Sequence, residues 1–418
     1  MRLLSKFGVE LHQSLLKNDV NVFLFYRKGM PIFLRTLFFA GSRFDTISGT
    51  AHFLEHLITS GTEKFPSKNI IADHIQKIGG EFGASTGIGL LSFDVEIPES
   101  EDIDIGIEVL KECITKSLFD LKTIENERGA ILAELKGKKS NPKSYVVEVK
   151  RRLILQGSPA GRSTLGTEES IGLITKENLL SFKKDFLHTG RMCFVVSGDI
   201  DINLLTGKLN NIDFEKGPQF VVDQKIPIVF DKKTDVEYYP GANIHAILSC
   251  RTDMNNFKEY CTLKVLNNIL AVGRGSRLVT VLRYKNGLVY SISGSISYSV
   301  DWSSINIEFA CDKENFSKAT DLIYQEFKNL IASGISETEL ENTKSKISKG
   351  SVRKLQSSVS WVNAHENTCL FEPGNPKTTE DYINTIQLLT KADIDAVARK
   401  YLEKENFYTA ICGDYKSN

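Results

Sequence analysis

A chain of 418 residues exceeds what one hydrophobic core usually organises, so two or three domains are expected. With 41% hydrophobic and 25% charged residues, the composition excludes the disordered, collagen-like and coiled-coil classes. Fifty-two basic and fifty-two acidic side chains cancel, which removes the simplest electrostatic argument for a nucleic acid or membrane partner. Seven cysteines, at positions 113, 193, 250, 261, 311, 369 and 412, stand singly without a Cys-x-x-Cys pair. They read as reduced small hydrophobes and point to a cytoplasmic location. Residues 1–6 lead directly into mixed polar sequence with no secretory signal, and no stretch reaches the ~20 apolar residues of a membrane span.

Residues 20–27 and 32–40 run apolar or alternate, as neighbouring strands do, joined by Lys28-Gly29-Met30-Pro31. A helix is expected after Asp45-Thr46-Ile47-Ser48, carrying residues 52–59. Another fits 67–78, with Ser67 as N-cap and Gly79-Gly80 as the stop. Strands 81–86 and 90–97 follow, then helices through 100–187 and a closing strand at 192–197. In the second half, 244–249 reads as a strand, 258–269 as a helix, 288–298 and 303–310 as adjacent strands, and 314–402 as mostly helical.

An internal repeat organises these elements. Thr175-Lys176-Glu177-Asn178-Leu179 leads to the apolar run ending Ser197-Gly198-Asp199, and Thr390-Lys391-Ala392-Asp393-Ile394 leads to the run ending Cys412-Gly413-Asp414. From Thr175 to Thr390 and from Asp199 to Asp414 the step is the same, 215 residues. A repeat this long implies duplicated domains rather than a solenoid. Lys216-Gly217-Pro218 and Pro227 break the pattern, so the expected division is 1–210, a linker at 211–230, and 231–418. The fold class expected is α+β, two similar domains, each a mainly antiparallel sheet packed with helices.

The chemistry gathers at His52-Phe53-Leu54-Glu55-His56. Residues at i and i+4 of a helix share a face, so His52 and His56 can offer two imidazoles to one ion, with Glu55 beside them. The order H-x-x-E-H inverts the commoner H-E-x-x-H of zinc peptidases. A catalytic zinc needs a third protein ligand. The helical, acidic stretch 125–134 contains Glu127 and Glu134 two turns apart on one face, and either could reach the metal helix. Two other patterns carry no such chemistry: His365-Glu366-Asn367-Thr368-Cys369 reads as an ordinary helix surface, and Gly273-Arg274-Gly275-Ser276 lacks the context of a phosphate loop.

His52-Phe53-Leu54-Glu55-His56, followed by Glu127-Arg128 and then Glu134, resembles the pitrilysin and insulysin family, which includes the mitochondrial processing peptidase and small single-repeat bacterial peptidases. The resemblance extends to Gly79-Gly80-Glu81-Phe82-Gly83-Ala84-Ser85-Thr86, to Gly161-Arg162-Ser163-Thr164-Leu165-Gly166-Thr167, and to Arg283-Tyr284-Lys285-Asn286-Gly287-Leu288-Val289-Tyr290. It implies a zinc endopeptidase with His52, His56 and Glu134 as ligands, Glu127 supporting them, and Glu55 as general base. By the same resemblance Arg283 anchors the substrate main chain, Tyr290 hydrogen-bonds the oxyanion, and the strand containing Gly83, Ala84, Ser85 and Thr86 pairs with an extended peptide. Gly83 and Gly89 depart from the family, which often has asparagine and an acidic residue there, and both departures bear on substrate selectivity. Large relatives fuse two halves of this size into a closed chamber. The implied assembly is therefore a clam-shell homodimer in which Arg283 and Tyr290 of one subunit complete the zinc site of the other. A heterodimer with a metal-free sister protein is the competing assembly, and a non-catalytic or presequence-processing scaffold subunit is the competing function.

Overall fold

The computed structural model describes residues 1–220, 225–254 and 256–416. The first sheet contains β1 (Arg2–Leu4), β2 (Val9–Leu15), β3 (Asn21–Tyr26), β4 (Ile32–Phe38), β5 (Glu81–Thr86), β6 (Leu91–Ile97) and β7 (Met192–Gly198), in the order β1-β2-β3-β7-β4-β6-β5. The second contains β8 (Thr234–Tyr238), β9 (Ile244–Thr252), β10 (Ser291–Tyr298), β11 (Ser303–Cys311) and β12 (Phe407–Gly413), in the order β10-β11-β9-β12-β8. All strand pairs are antiparallel except β3 with β7 and β8 with β12. The two exceptions occupy equivalent places. In each sheet the last strand in sequence inserts beside the first strand of the repeat and runs parallel to it.

The duplication is therefore present in topology as well as in letters. Helix Lys176–Phe186 precedes β7 and helix Lys391–Tyr401 precedes β12, each opened by a reciprocal capping box at Thr175 and Thr390. In each box the threonine hydroxyl accepts the third backbone N–H, while the side chain of Asn178 or Asp393 accepts the threonine N–H, so two orphan donors of the first turn are satisfied together. Ser67 stands where an N-cap was expected, but its hydroxyl makes no capping bond to helix Lys68–Gln76.

Two compact units result, each assembled from interleaved stretches of chain. The first comprises Met1–Leu135, Arg162–Val221 and Ser351–Glu380; the second comprises Lys136–Gly161, Val222–Gly350 and Asp381–Asn418. Within the first unit, one sheet face packs Val22, Leu24, Leu34, Phe93, Val95 and Val196 against helices, among them Thr50–Ile58 through Phe53, Leu54 and Leu57. The opposite face packs Phe23, Phe25, Phe33, Leu37 and Val195 against Trp361, Val362 and Cys369 of helix Ser358–Phe371. Covering on both faces explains why β3 and β7 carry apolar runs, Val22–Phe25 and Met192–Val196, instead of alternating. Helix Pro142–Ile154 plays the corresponding part in the second unit, where Val146 and Val149 cover Ile247, Ala410 and Cys412.

The stretch His365–Cys369 corrects the expectation of a helix surface. His365 is 1% exposed and stacked on Phe25 at 4.4 Å. Its Nδ1 donates to the Trp361 carbonyl at 2.7 Å, and its Nε2 accepts from the Thr379 backbone N–H at 2.9 Å. That is a neutral imidazole used as a core residue. Glu366 pairs with Arg35, which also holds Asp94. The period-3.6 pattern there is masked because polar residues at buried positions are satisfied locally.

Part of the 211–230 stretch, residues 221–224, lies outside the described residues. Residues 213–220 have no regular structure but are tied to the first unit: Thr189 N donates to Glu215 O at 2.9 Å, Phe220 N donates to Gly190 O at 3.0 Å, and Arg191 stacks on the Phe220 ring. Among the described residues no helix is long and apolar enough to cross a membrane.

In the second unit Arg277 donates to both Glu339 oxygens, at 2.7 and 2.9 Å. That guanidinium holds the Glu339 carboxyl down at about 2. Because the folded value lies below the ordinary one, the pair stabilises the fold fully above about pH 4.5 and loses that contribution as pH falls toward about 2. Glu339→Gln is expected to destabilise the protein by about 1 kcal/mol near neutral pH, the carboxylate being partly solvated, and by progressively less as pH falls through about 2. Urea midpoints of the variant and parent across that range check the convergence.

Candidate metal centre

Helix Thr50–Ile58 starts under tight local constraint. Gly49 at its N-cap has φ 96, a left-handed conformation, and a Cβ there would meet the Ile171 side chain at 2.6 Å. Gly49 has no side chain with which to cap the first turn. Asp45 does so instead, its carboxylate accepting from Gly49 N at 2.7 Å and from Ala51 N at 2.9 Å.

One turn into this helix, His52 is buried and His56 half-buried, with ring centroids 4.7 Å apart. Helix Leu121–Lys139 lies beside them and presents Glu134 at its exposed side. Glu134 Oε2 is 3.6 Å from His52 Nε2 and 3.7 Å from His56 Nε2. Among the described residues these three form the one group of histidine, cysteine and acidic side chains arranged to hold an ion, with ligand atoms within 4.8 Å of one another. A tetrahedral zinc with bonds of ~2.0–2.1 Å separates its ligand atoms by ~3.3 Å, so both Glu134–histidine distances need contract by only a few tenths of an ångström to share such an ion. Two imidazoles and one carboxylate are also the donor set that zinc favours in catalytic sites, leaving a fourth position open.

Glu127, two turns before Glu134, does not join the trio. Its Oε2 accepts from His56 Nδ1 at 2.9 Å, and its Oε1 accepts from Ser60 Oγ at 2.7 Å. The bond from His56, with help from Ser60, holds the Glu127 carboxyl below the ordinary carboxylate range. An ionised carboxylate only accepts, so the proton of His56 sits on Nδ1 and the lone pair of Nε2 faces Glu134. The spacing of Glu127 and Glu134 left either one able to reach the histidines; the geometry separates them into one that meets both Nε2 atoms and one that fixes a tautomer. Ser60, one turn beyond His56, was not singled out from sequence, although a hydroxyl at i+4 on the histidine face was the available signal.

Glu55 points elsewhere. Its Oε2 accepts from the Thr86 hydroxyl at 2.5 Å, and burial pushes its carboxyl up from the ordinary value despite that bond. Thr86 ends β5, the outermost strand of the first sheet. Along β5, Phe82, Ala84 and Thr86 are half-buried, while Glu81, Gly83 and Ser85 are exposed. Nothing lies within 4 Å of a Cβ built on Gly83, so packing does not require glycine there.

Arg283 and Tyr290 belong to the second unit and are not in this cluster. Arg283 is exposed on a wide π-type helical segment, Val279–Lys285. Tyr290 is 53% exposed, its backbone N–H donating to Ala310 O at 2.8 Å and its hydroxyl donating to the Asp312 carboxylate.

Two family models match the chain: Insulinase (Peptidase family M16) over residues 35–168, and Peptidase M16 inactive domain over residues 173–347. An uncharacterized zinc protease of Mycobacterium leprae is 25% identical over 389 residues, covering 90% of this chain and 85% of the relative. The mitochondrial-processing peptidase subunit beta of Lentinula edodes is 23% identical over 395 residues, covering 90% of this chain and 84% of that protein. Among solved structures, a peptidase M16 inactive domain from Pseudomonas fluorescens superposes with a TM-score of 0.88 at 18% identity, covering 98% of this chain and 99% of its own.

Proposed function

Since the chain belongs to the M16 peptidase family, among its single-repeat bacterial-type members, we propose that it is a zinc endopeptidase in which His52, His56 and Glu134 hold the metal and Glu55 is the general base. The observation that carries this reading is the convergence of two imidazole Nε2 atoms and one carboxylate oxygen beside a separate, half-buried carboxylate tethered to the edge strand. Zinc, when bound, supplies Lewis-acid polarisation of the scissile carbonyl and a water whose pKa falls toward ~7.

The protein's own groups supply the rest. A peptide added to the free edge of β5 is held by main-chain hydrogen bonds, so its sequence is weakly specified and its extended, unfolded state is required. Thr86 ends that strand and donates to Glu55, so one hydroxyl registers the base against the bound peptide. Raised by burial, the Glu55 carboxylate is a better proton acceptor than an exposed one; it takes a proton from the attacking water and delivers it to the leaving amine. Glu127 keeps His56 in the tautomer that binds metal. Gly83 leaves space over the strand that a larger side chain would fill, which favours a broad choice of substrate residue there.

In this reading residues 1–210 carry the metal site, 211–230 connect, and 231–418 supply Arg283 to the substrate main chain and Tyr290 to the oxyanion. The second half contains no metal-binding group among the described residues, in keeping with the description of the model that matches it. A homodimer would use both halves twice, each Tyr290 serving the partner's zinc. Seven free, buried cysteines support a reducing, cytoplasmic setting.

A mixing experiment tests the composite site. Glu55→Gln and Tyr290→Phe chains are each expected to be nearly inactive. After unfolding and refolding together, half the dimers are mixed, and each mixed dimer has one intact site. Cleavage of a quenched fluorescent peptide should recover to about a quarter of wild type. No recovery from chains that do form mixed dimers contradicts the composite site, and a fully active monomer contradicts the dimer.

A further inference from the structure

We propose that Asp45 is a positioning residue whose negative charge, applied through the N-terminus of helix Thr50–Ile58, strengthens zinc binding at His52, His56 and Glu134. The inference rests on the reading of that trio as a zinc site. It assigns to a residue outside the trio a part in setting its affinity.

The first turn of a helix carries unpaired N–H groups equivalent to roughly half a positive charge, and the effect is concentrated in that turn. His52 is the third residue of the helix, so a dication bound there meets this field directly. A serine or threonine cap would satisfy the N–H groups without offsetting the field. The chain uses a carboxylate instead, 4% exposed, with both oxygens engaged by Gly49 N and Ala51 N.

A neutral cap would avoid the desolvation of a buried charge, which here pushes the Asp45 carboxyl up to about 7. Backbone N–H groups and the nearby Arg162 offset part of that cost, and the charge also stands at the start of the helix that carries two of the three metal ligands, His52 and His56. The carboxylate is also held against displacement. Arg162 donates to the Asp45 carbonyl at 2.8 Å, Ser48 Oγ donates to Ser163 O at 3.0 Å, and Ser170 Oγ donates to Ser48 O at 2.7 Å. The segment from Arg162 to Ser170 thus acts as a clamp on the turn that carries Asp45. This gives the clamp a role in metal binding at a distance from every ligand.

The test measures zinc affinity on the full-length protein at about pH 8, where Asp45 is ionised. Zinc dissociation constants come from competition with a chelator of known affinity, alongside melting temperatures of the metal-free protein. Asp45→Asn keeps the shape and one acceptor but removes the charge, and should weaken zinc binding about ten-fold. Asp45→Glu keeps the charge with displaced geometry, and should stay within about three-fold of wild type even if its metal-free melting temperature falls.

Wild-type zinc affinity in Asp45→Asn overturns the proposal and leaves Asp45 a structural cap. If Asp45→Asn does not accumulate as folded protein, Asp45→Glu decides: retained affinity supports the charge, while loss of affinity in step with loss of melting temperature overturns it. Failure of the zinc reading itself looks different, because wild type would then take up no more zinc than His52→Ala.

Discussion

Glu55→Gln is expected to lower peptide cleavage by about three orders of magnitude while leaving zinc content at the wild-type level. The substitution removes the proton-accepting oxygen and keeps the volume. Glu55 stands apart from the metal trio, its Oε2 engaged by Thr86, so the ligand set is untouched. A glutamine at this place can still pair with Thr86, so the edge strand should keep its position and KM should change little. The loss falls on kcat. Metal analysis and steady-state cleavage of a fluorescent peptide, on the same preparation, separate this outcome from simple unfolding. Unchanged cleavage in the variant removes Glu55 from the mechanism.

His56→Ala is expected to act on the metal itself, with zinc affinity falling by at least a hundred-fold and cleavage lost in proportion. Two effects combine. One imidazole donor disappears, and Glu127 loses the His56 Nδ1–H that it accepts at 2.9 Å, which leaves its carboxylate with Ser60 alone. The helix should survive, because its buried side is formed by Phe53, Leu54, Leu57 and Ile58, whereas His56 is only half-buried. Glu127→Gln belongs to the same series with a smaller loss, on the order of ten-fold, since it disturbs only the tautomer. Chelator competition orders the variants. A reversed order, with Glu127→Gln losing more zinc than His56→Ala, contradicts the assignment of ligand and support.

The parts of this fold that were legible in the sequence are those where local pattern and tertiary role agree. Helix Lys176–Phe186 with β7, and helix Lys391–Tyr401 with β12, repeat at one step because the same capping box and the same central strand are built twice. β3, β4 and β7 announced themselves by apolar runs, being covered on both faces, and β6 by strict alternation, with Leu91, Phe93, Val95 and Ile97 on one covered face. By contrast, β2 reads Val9-Glu10-Leu11-His12-Gln13-Ser14-Leu15 and is buried mainly at Val9 and Leu11, so it carried too little apolar signal to be expected. β8 is a short edge strand whose Asp235 is buried against Arg152, a tertiary pairing that no local pattern reveals.

At the site, the i, i+4 histidines follow from helix geometry alone, and Glu134 was accessible as one of two acidic residues on a shared face. Their separation into different tasks needed the angle between two helices, which sequence does not encode locally. Asp45 illustrates the same limit. The turn Asp45-Thr46-Ile47-Ser48 marked a helix start, but nothing in its letters said that the carboxylate would skip three residues and cap a buried N-terminus. His365 failed in the other direction, since a histidine in a polar stretch of helix reads as exposed until Thr379 and Trp361 are found to satisfy both ring nitrogens.

Zinc held by His52, His56 and Glu134 is tested most directly by anomalous diffraction from crystals of the zinc-loaded protein, recorded on both sides of the zinc absorption edge. One strong peak per chain is predicted, ~2.0–2.2 Å from His52 Nε2, His56 Nε2 and a Glu134 carboxylate oxygen, with Glu55 outside bonding distance. A peak at other residues, or no peak from protein that retains the fold in excess zinc, would contradict it.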